Sequence, residues 1–152
     1  MKSIAPSLSG RRVFIAEDET LIAFDIAYCL EFAGYEVVGP FADVSEALGA
    51  LDTNSIDIAL LDVNLRGAAV WPVAARLQAQ GVPFVFLTGY ASLDEFPPAF
   101  ADVRRLDKPF VPEKLLAVLS AASDEAASVS AAETETFDAG RRAEQPALAD
   151  AP

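Results

Sequence analysis

The stretch FVFLTGYASLDEFPPAF, residues 84–100, decides how this chain folds. The run that leads into it, Val82 to Leu87, is nearly all apolar, as expected for a strand whose two faces are both covered, and such strands belong to parallel sheets. The run ends in a hydroxyl and a glycine, Thr88-Gly89. The residues after Gly89 start like a helix, but Pro97 and Pro98 stand where that helix should continue. Proline lacks an N–H and crowds the preceding turn. The spacing therefore predicts a fourth helix that is short or begins late.

The same alternation extends in both directions. Upstream, Ile56–Leu61 (IDIALL) reads as a third strand, the segment 64–70 as loop, Pro72 as the first turn of a helix, and Gly81 as its end. Nearer the start, Arg12–Ala16 (RVFIA) is a short strand. A helical stripe of Ile22, Ile26, Cys29, Leu30 and Ala33 follows it and is stopped by Gly34. Tyr35–Val38 forms a second strand. Asp43 with Glu46 three residues on resembles a capping box for a helix that buries Val44, Ala47, Leu48 and Leu51. Downstream, Val103–Asp107 is a fifth strand, and Pro112 opens a last helix carrying Leu115, Leu116 and Leu119.

Five strands separated by helices imply an α/β fold, a doubly wound parallel sheet with right-handed crossovers and helices on both faces. Ligands in such sheets sit beyond the C-terminal strand ends, where the strand order switches. Those ends carry Glu17-Asp18-Glu19, Asp62, Thr88-Gly89 and Lys108-Pro109. Each has a plain structural reading: acids favour a helix start, Asp62 caps a loop, Thr88 is a strand residue, Lys108 a surface charge. Together they bring carboxylates, a hydroxyl and an ammonium to one edge.

Two carboxylates about 4 Å apart repel by roughly 4 kcal/mol at an effective dielectric near 20. A cluster of Glu17, Asp18 and Asp62 therefore calls for a cation. With oxygen ligands alone, Mg²⁺ is the natural occupant. Mg²⁺ with Lys108 is what a phosphoryl group needs during transfer, and a carboxylate can serve as the nucleophile. Thr88 can donate its hydroxyl to a phosphoryl oxygen, and Gly89 leaves the approach open. The edge reads as a phosphoacceptor site.

Composition removes other classes. The 152 residues contain no histidine and one cysteine, Cys29, which excludes a Ser-His-Asp triad, histidine-ligated zinc, a thiolate cluster and an internal disulfide. Cys29 reads as core filler. A formal charge of −12 argues against nucleic acid as a partner. No apolar run approaches the roughly 18 residues of a membrane span, and no leader is legible in MKSIAPSLSGRR, so no membrane partner and a cytoplasmic location are expected.

In that order on five βα units, Glu17-Asp18, Asp62, Thr88 and Lys108-Pro109-Phe110 resemble the receiver domain of two-component response regulators. The resemblance covers residues 11–120. It implies the flavodoxin-like (βα)5 fold with strand order 2-1-3-4-5, and a phosphoryl group accepted on Asp62 from a partner's phosphohistidine. It implies Mg²⁺ held by Glu17, Asp18, Asp62 and the backbone carbonyl of Asn64. Thr88 and Gly89 would contact the phosphoryl group and Lys108 would pair with it. A cis Lys108–Pro109 bond is also implied. Three residues before the lysine, where receivers of this kind carry a switch aromatic, this chain has Arg105. That departure, with FLTGY, DVNLRG and Trp71-Pro72, is similar to the FATGUY receivers, stand-alone regulators of alphaproteobacterial style that work with HWE/HisKA2 histidine kinases. The usual aromatic switch is then replaced, and ordering of residues 90–102, with Tyr90 near the site, is the expected substitute. Leu87 stands where that subgroup has alanine.

Residues 1–10 read as a loose arm. Residues 121–152, poor in large apolar side chains, with seven acids against two arginines, read as a disordered tail or a partner-binding segment around Phe137 and Arg141-Arg142. With no effector domain expected after residue 120, output falls to partner binding or phosphoryl shuttling, with a histidine kinase or histidine phosphotransfer protein as donor. No enzyme activity is expected beyond the chain's own phosphoryl chemistry. Two alternatives stand beside this reading. A haloacid-dehalogenase-like hydrolase wants a second acid two residues after the nucleophile, where Asn64 stands. A pseudo-receiver would bind proteins without being phosphorylated.

Overall fold

The structure, a computed structural model, describes residues 10–89 and 96–126. The chain runs β1 (Arg12–Ala16), α1 (Thr20–Phe32), β2 (Glu36–Phe41), α2 (Val44–Thr53) and β3 (Ile58–Asp62). A small antiparallel hairpin of β4 (Asn64–Leu65) and β5 (Ala68–Ala69) comes next, then α3 (Trp71–Ala79), β6 (Phe84–Thr88), a 3-10 turn (Pro98–Phe100) and β7 (Arg105–Asp107). A last helix, α4, covers 112–126. The main sheet has the order β2-β1-β3-β6-β7 and every pairing in it is parallel. With the hairpin set aside, this is the 2-1-3-4-5 order of the flavodoxin-like fold.

Strand alternation sorts the core into two halves. Val13, Ile15, Ile58, Leu60, Val85 and Leu87 face α1 and α4, where Ile26, Leu30, Leu115 and Leu119 meet them. Phe14, Ala16, Ala59, Leu61, Phe84 and Phe86 face the other way, onto Ala47 and Leu51 of α2 and Val73 and Leu77 of α3. Successive side chains of a strand point to opposite faces, so each apolar run feeds both layers. That is why β3 and β6 are buried along their whole length.

Several boundaries differ from the sequence reading, each for a local reason. β2 does not stop at Val38. It continues through a cis Gly39–Pro40 bond to Phe41, and the register with β1 shifts there. Gly39 has φ of +109°, and a Cβ on it would lie 2.8 Å from the Ile15 carbonyl oxygen, so only glycine lets the strand pass this close to β1. β3 starts at Ile58 and β7 at Arg105, each two residues later than expected, because pairing with neighbours sets strand ends. The expected loop at 64–70 folds into the hairpin, whose two turn residues, Arg66 (φ 51°) and Gly67 (φ 84°), are both left-handed. Asp43 caps α2 as expected, accepting a hydrogen bond from the Glu46 N–H at 2.8 Å.

The segment carrying the two prolines gives only a 3-10 turn among its described residues. Pro97 caps it and Pro98 opens it, with the Phe100 N–H on the Pro97 carbonyl at 2.9 Å. Tyr90 and residues 91–95, part of the segment whose ordering is expected to replace the switch, lie outside the described residues. Cys29 is half-buried rather than a full core residue. α4 runs past residue 120 with Ala122 and Ser123 buried, so helical packing extends into what the sequence presents as tail. Residues 1–9 and 127–152 lie outside the described residues. No helix among the described residues is long and apolar enough to cross a membrane.

Candidate functional site

The strand order reverses about β1, which pairs with β2 on one side and β3 on the other. A crevice outside the C-terminal ends of β1 and β3 results from that reversal. Glu17 leaves β1 with its N–H on the Phe41 carbonyl at 2.9 Å, so the long β2 fixes its position. Asp62 ends β3, Thr88 ends β6, and Lys108 follows β7. The Lys108–Pro109 bond is cis.

The structure brings together the charged residues read from the sequence. Lys108 Nζ lies 2.9 Å from Glu17 Oε1, 3.1 Å from Asp62 Oδ2 and 3.5 Å from Glu19 Oε1. Carboxylate oxygens of Glu17, Asp18 and Asp62 all lie within 4.8 Å of one another. The Asp18 carboxylate accepts the Arg66 N–H at 2.8 Å, which ties the left-handed turn of the hairpin to the end of β1. Asn64 gives its N–H to Asp62 Oδ1 at 3.3 Å, and its side-chain oxygen accepts the Gly67 N–H at 2.9 Å. The short hairpin thereby orients both acids.

Electrostatics at this edge are set by burial. Glu17 is 2% exposed. Desolvation pushes its carboxyl from the ordinary 4.5 up to about 7, aided by the neighbouring Asp62 carboxylate. The Glu19 N–H on Oε2, at 3.0 Å, and Lys108 pull the other way. Burial also lowers the Lys108 ammonium, but the attraction of Glu17 and Asp62 outweighs it and the net displacement is upward. Buried Glu17 Oε1 faces the Lys108 ammonium at 2.9 Å. Three carboxylates whose oxygens lie within 4.8 Å of one another, with no nitrogen or sulfur ligand among them, suit a hard divalent cation. The donor set fits Mg²⁺.

Thr88 is brought to the same end of the sheet, but its hydroxyl has a partner the sequence reading missed. It donates to Asp107 Oδ1 at 2.8 Å, across the β6–β7 pairing in which Thr88 and Asp107 are register partners. Gly89 lines, with Glu19 and Lys108, a cavity of about 1020 Å³ between α1 and α4. A Cβ on Gly89 would meet nothing within 4 Å, so this position is open space. Arg105, where the resemblance implies an aromatic switch, stacks its guanidinium 3.8 Å from the centroid of Phe96 and reaches the Ala101 carbonyl at 3.4 Å. Phe96 belongs in turn to an aromatic cluster with Trp71, Phe86 and Phe100. Glu19 was placed at this edge by the sequence without a role, whereas Asp107 and Arg66 were not singled out for the site from sequence. The one signal available for Asp107 was its place directly before Lys108.

Residues 13–120 match the response regulator receiver domain family. The chain belongs to that family. This receiver is 31% identical over 137 residues to the transcriptional regulatory protein PdtaR of Mycobacterium tuberculosis, covering 88% of the chain and 67% of PdtaR. Among solved structures it is similar to SdrG from Sphingomonas melonis Fr1, at 38% identity and a TM-score of 0.67, covering 74% of this chain and 96% of that one. It is also similar to the response regulator PhyR from Brucella abortus, at 29% identity and a TM-score of 0.66, covering 82% of this chain and 53% of that one. The receiver is thus a signalling module of two-component systems, and a receiver's phosphodonor is a histidine kinase or its equivalent.

Proposed function

We propose that this receiver is a stand-alone response regulator that accepts a phosphoryl group on Asp62. The observation that carries the reading is the contact of Lys108 Nζ with Asp62 Oδ2 at the strand-order switch, beside the Glu17-Asp18-Asp62 cluster. Glu17, Asp18, Asp62 and the backbone carbonyl of Asn64 would hold Mg²⁺, which supplies positive charge for the developing phosphoryl oxygens when bound. An Asp62 carboxylate oxygen forms the new P–O bond while the donor's P–N bond to imidazole breaks. The imidazole leaves with the electron pair and is protonated from solvent. Lys108 stays as the fixed positive charge beside Asp62, and the open space at Gly89 admits the phosphoryl oxygens. The only chemistry assigned to the chain is this transfer and the later hydrolysis of its own acyl phosphate.

The donor we assign is a histidine kinase of the HWE/HisKA2 type or a histidine phosphotransfer protein. Support for docking comes from α1, which is apolar on two sides. Ala23, Ile26 and Leu30 pack inward, while Leu21, Phe24, Tyr28 and Phe32 are exposed. Four exposed large apolar side chains on one short helix, with only Asp25 and Glu31 as exposed charges beside them, mark an interaction surface. It starts two residues after Asp18, so a partner seated on it delivers its phosphohistidine to the site. Reading the chain as FATGUY-type rests on Arg105 in place of the switch aromatic and on the likeness to SdrG, which is matched over 96% of its length. A cytoplasmic location belongs to the same reading. Incubation with acetyl phosphate and Mg²⁺ tests it: intact-protein mass spectrometry should show one added phosphoryl group, absent in Asp62→Asn. Labelling that persists in Asp62→Asn sinks the assignment.

A further inference from the structure

We propose that Asp107 is a positioning residue for phosphorylation, holding the Thr88 hydroxyl proton until the phosphoryl group competes for it. This rests on the reading of Asp62 as phosphoacceptor and adds a residue that reading does not use. A threonine hydroxyl has one proton to donate, and a carboxylate or a phosphoryl oxygen only accepts. The proton now goes to Asp107 Oδ1 at 2.8 Å. Thr88 therefore donates to a phosphoryl oxygen only after letting Asp107 go.

The geometry makes this a latch rather than a chance contact. Thr88 and Asp107 are register partners in adjacent parallel strands, so their side chains project from the same face of the sheet. The bond is charge-assisted, and Thr88 is buried while Asp107 is exposed. The Lys108 N–H bonds the Thr88 carbonyl at 2.7 Å, and Lys108 Nζ contacts Asp62. Asp107 is thus one residue from the cation that faces Asp62 and one hydrogen bond from the hydroxyl intended for the phosphoryl group.

Transfer brings oxygens of greater negative charge than a carboxylate, and these draw the Thr88 proton inward. Asp107 is then left as an unpartnered anion on the outer strand of the sheet. Phosphorylation changes the surface there without an aromatic rotor. The position two residues earlier is already committed, since Arg105 is stacked on Phe96.

The test measures labelling by acetyl phosphate with Mg²⁺ and the lifetime of the phosphorylated protein. It compares Asp107→Ala and Asp107→Asn, each with Thr88 and with Thr88→Val. Asp107→Ala should raise the phosphorylation rate or the lifetime by roughly three- to tenfold, the scale of one ordinary hydrogen bond net of competing water. Asp107→Asn keeps an acceptor oxygen and should move less. With Thr88→Val, Asp107→Ala should change nothing, whereas a simple charge or folding effect of Asp107 would persist. An unchanged rate and lifetime in Asp107→Ala, or the same gain with Thr88→Val, overturns the latch while leaving Asp62 as acceptor. A wild-type protein that takes no label overturns both readings.

Discussion

Replacing Lys108 by methionine keeps the length and apolar stem of the side chain and deletes only its charge. Breaking a buried ion pair from one side typically costs about 3–5 kcal/mol. Here the cost should depend on pH, because Glu17 already sits near 7 and can neutralise itself. Its folded value is raised above the ordinary 4.5, so its contribution to stability is fully present below 4.5 and is lost as pH rises through 7. In Lys108→Met the pull of the ammonium is gone, the folded value moves higher still, and the loss extends to more alkaline pH.

Near pH 6.5 most Glu17 is protonated in either protein, and the variant forfeits mainly the contact of Lys108 with Asp62, about 1–3 kcal/mol. Between about pH 7 and 8.5 the variant goes on losing stability after wild type has nearly finished, at up to about 1.4 kcal/mol per unit, so the gap should widen by up to about 2 kcal/mol. Urea unfolding followed by Trp71 fluorescence, in EDTA, measures the gap at both pH values. Excess Mg²⁺ supplies the missing positive charge and should remove most of the widening. An equal cost at both pH values, or no recovery with Mg²⁺, would refute the placement of Glu17, Asp62 and Lys108 in one coupled cluster.

Two further outcomes probe other parts of the molecule. Phe24→Ala with Tyr28→Ala, both exposed on α1, should leave stability within about 1 kcal/mol and acetyl phosphate labelling unchanged. Transfer from a phosphorylated histidine kinase should fall at least tenfold, about 1.4 kcal/mol or more of lost docking; equal transfer would remove α1 as the docking face. Phe100→Ala takes a ring from between Trp71, Phe84 and Phe86 and should cost about 3–4 kcal/mol in urea unfolding; a loss under about 1 kcal/mol would mean that this aromatic cluster packs loosely.

The fold was legible because its signals are local. Val13, Ile15 and Ala16, or Phe84, Phe86 and Leu87, announce strands covered on both sides whatever their neighbours are. The helical stripe ending at Ala33 and Gly34 announces a crossover. Cys29 shows the limit of such a pattern: it lies at core spacing, yet α1 stands off from α4 there and leaves it lining a cavity. The site was legible for a different reason. Once the strands are parallel, every C-terminal end falls on one edge, so Glu17, Asp18, Asp62, Thr88 and Lys108 must converge.

Sequence alone therefore determined which residues meet at the edge. It was silent on how they are held, because that depends on partners distant along the chain. Strand register decided that the Thr88 hydroxyl meets Asp107, nineteen residues on. The left-handed turn at Arg66 decided that a backbone N–H, forty-eight residues away, orients Asp18. The depth of burial decided that Glu17 titrates near 7 while facing a lysine. Periodicity is a property of neighbours within a segment, whereas hydrogen-bond partners and desolvation are set only when segments close on one another.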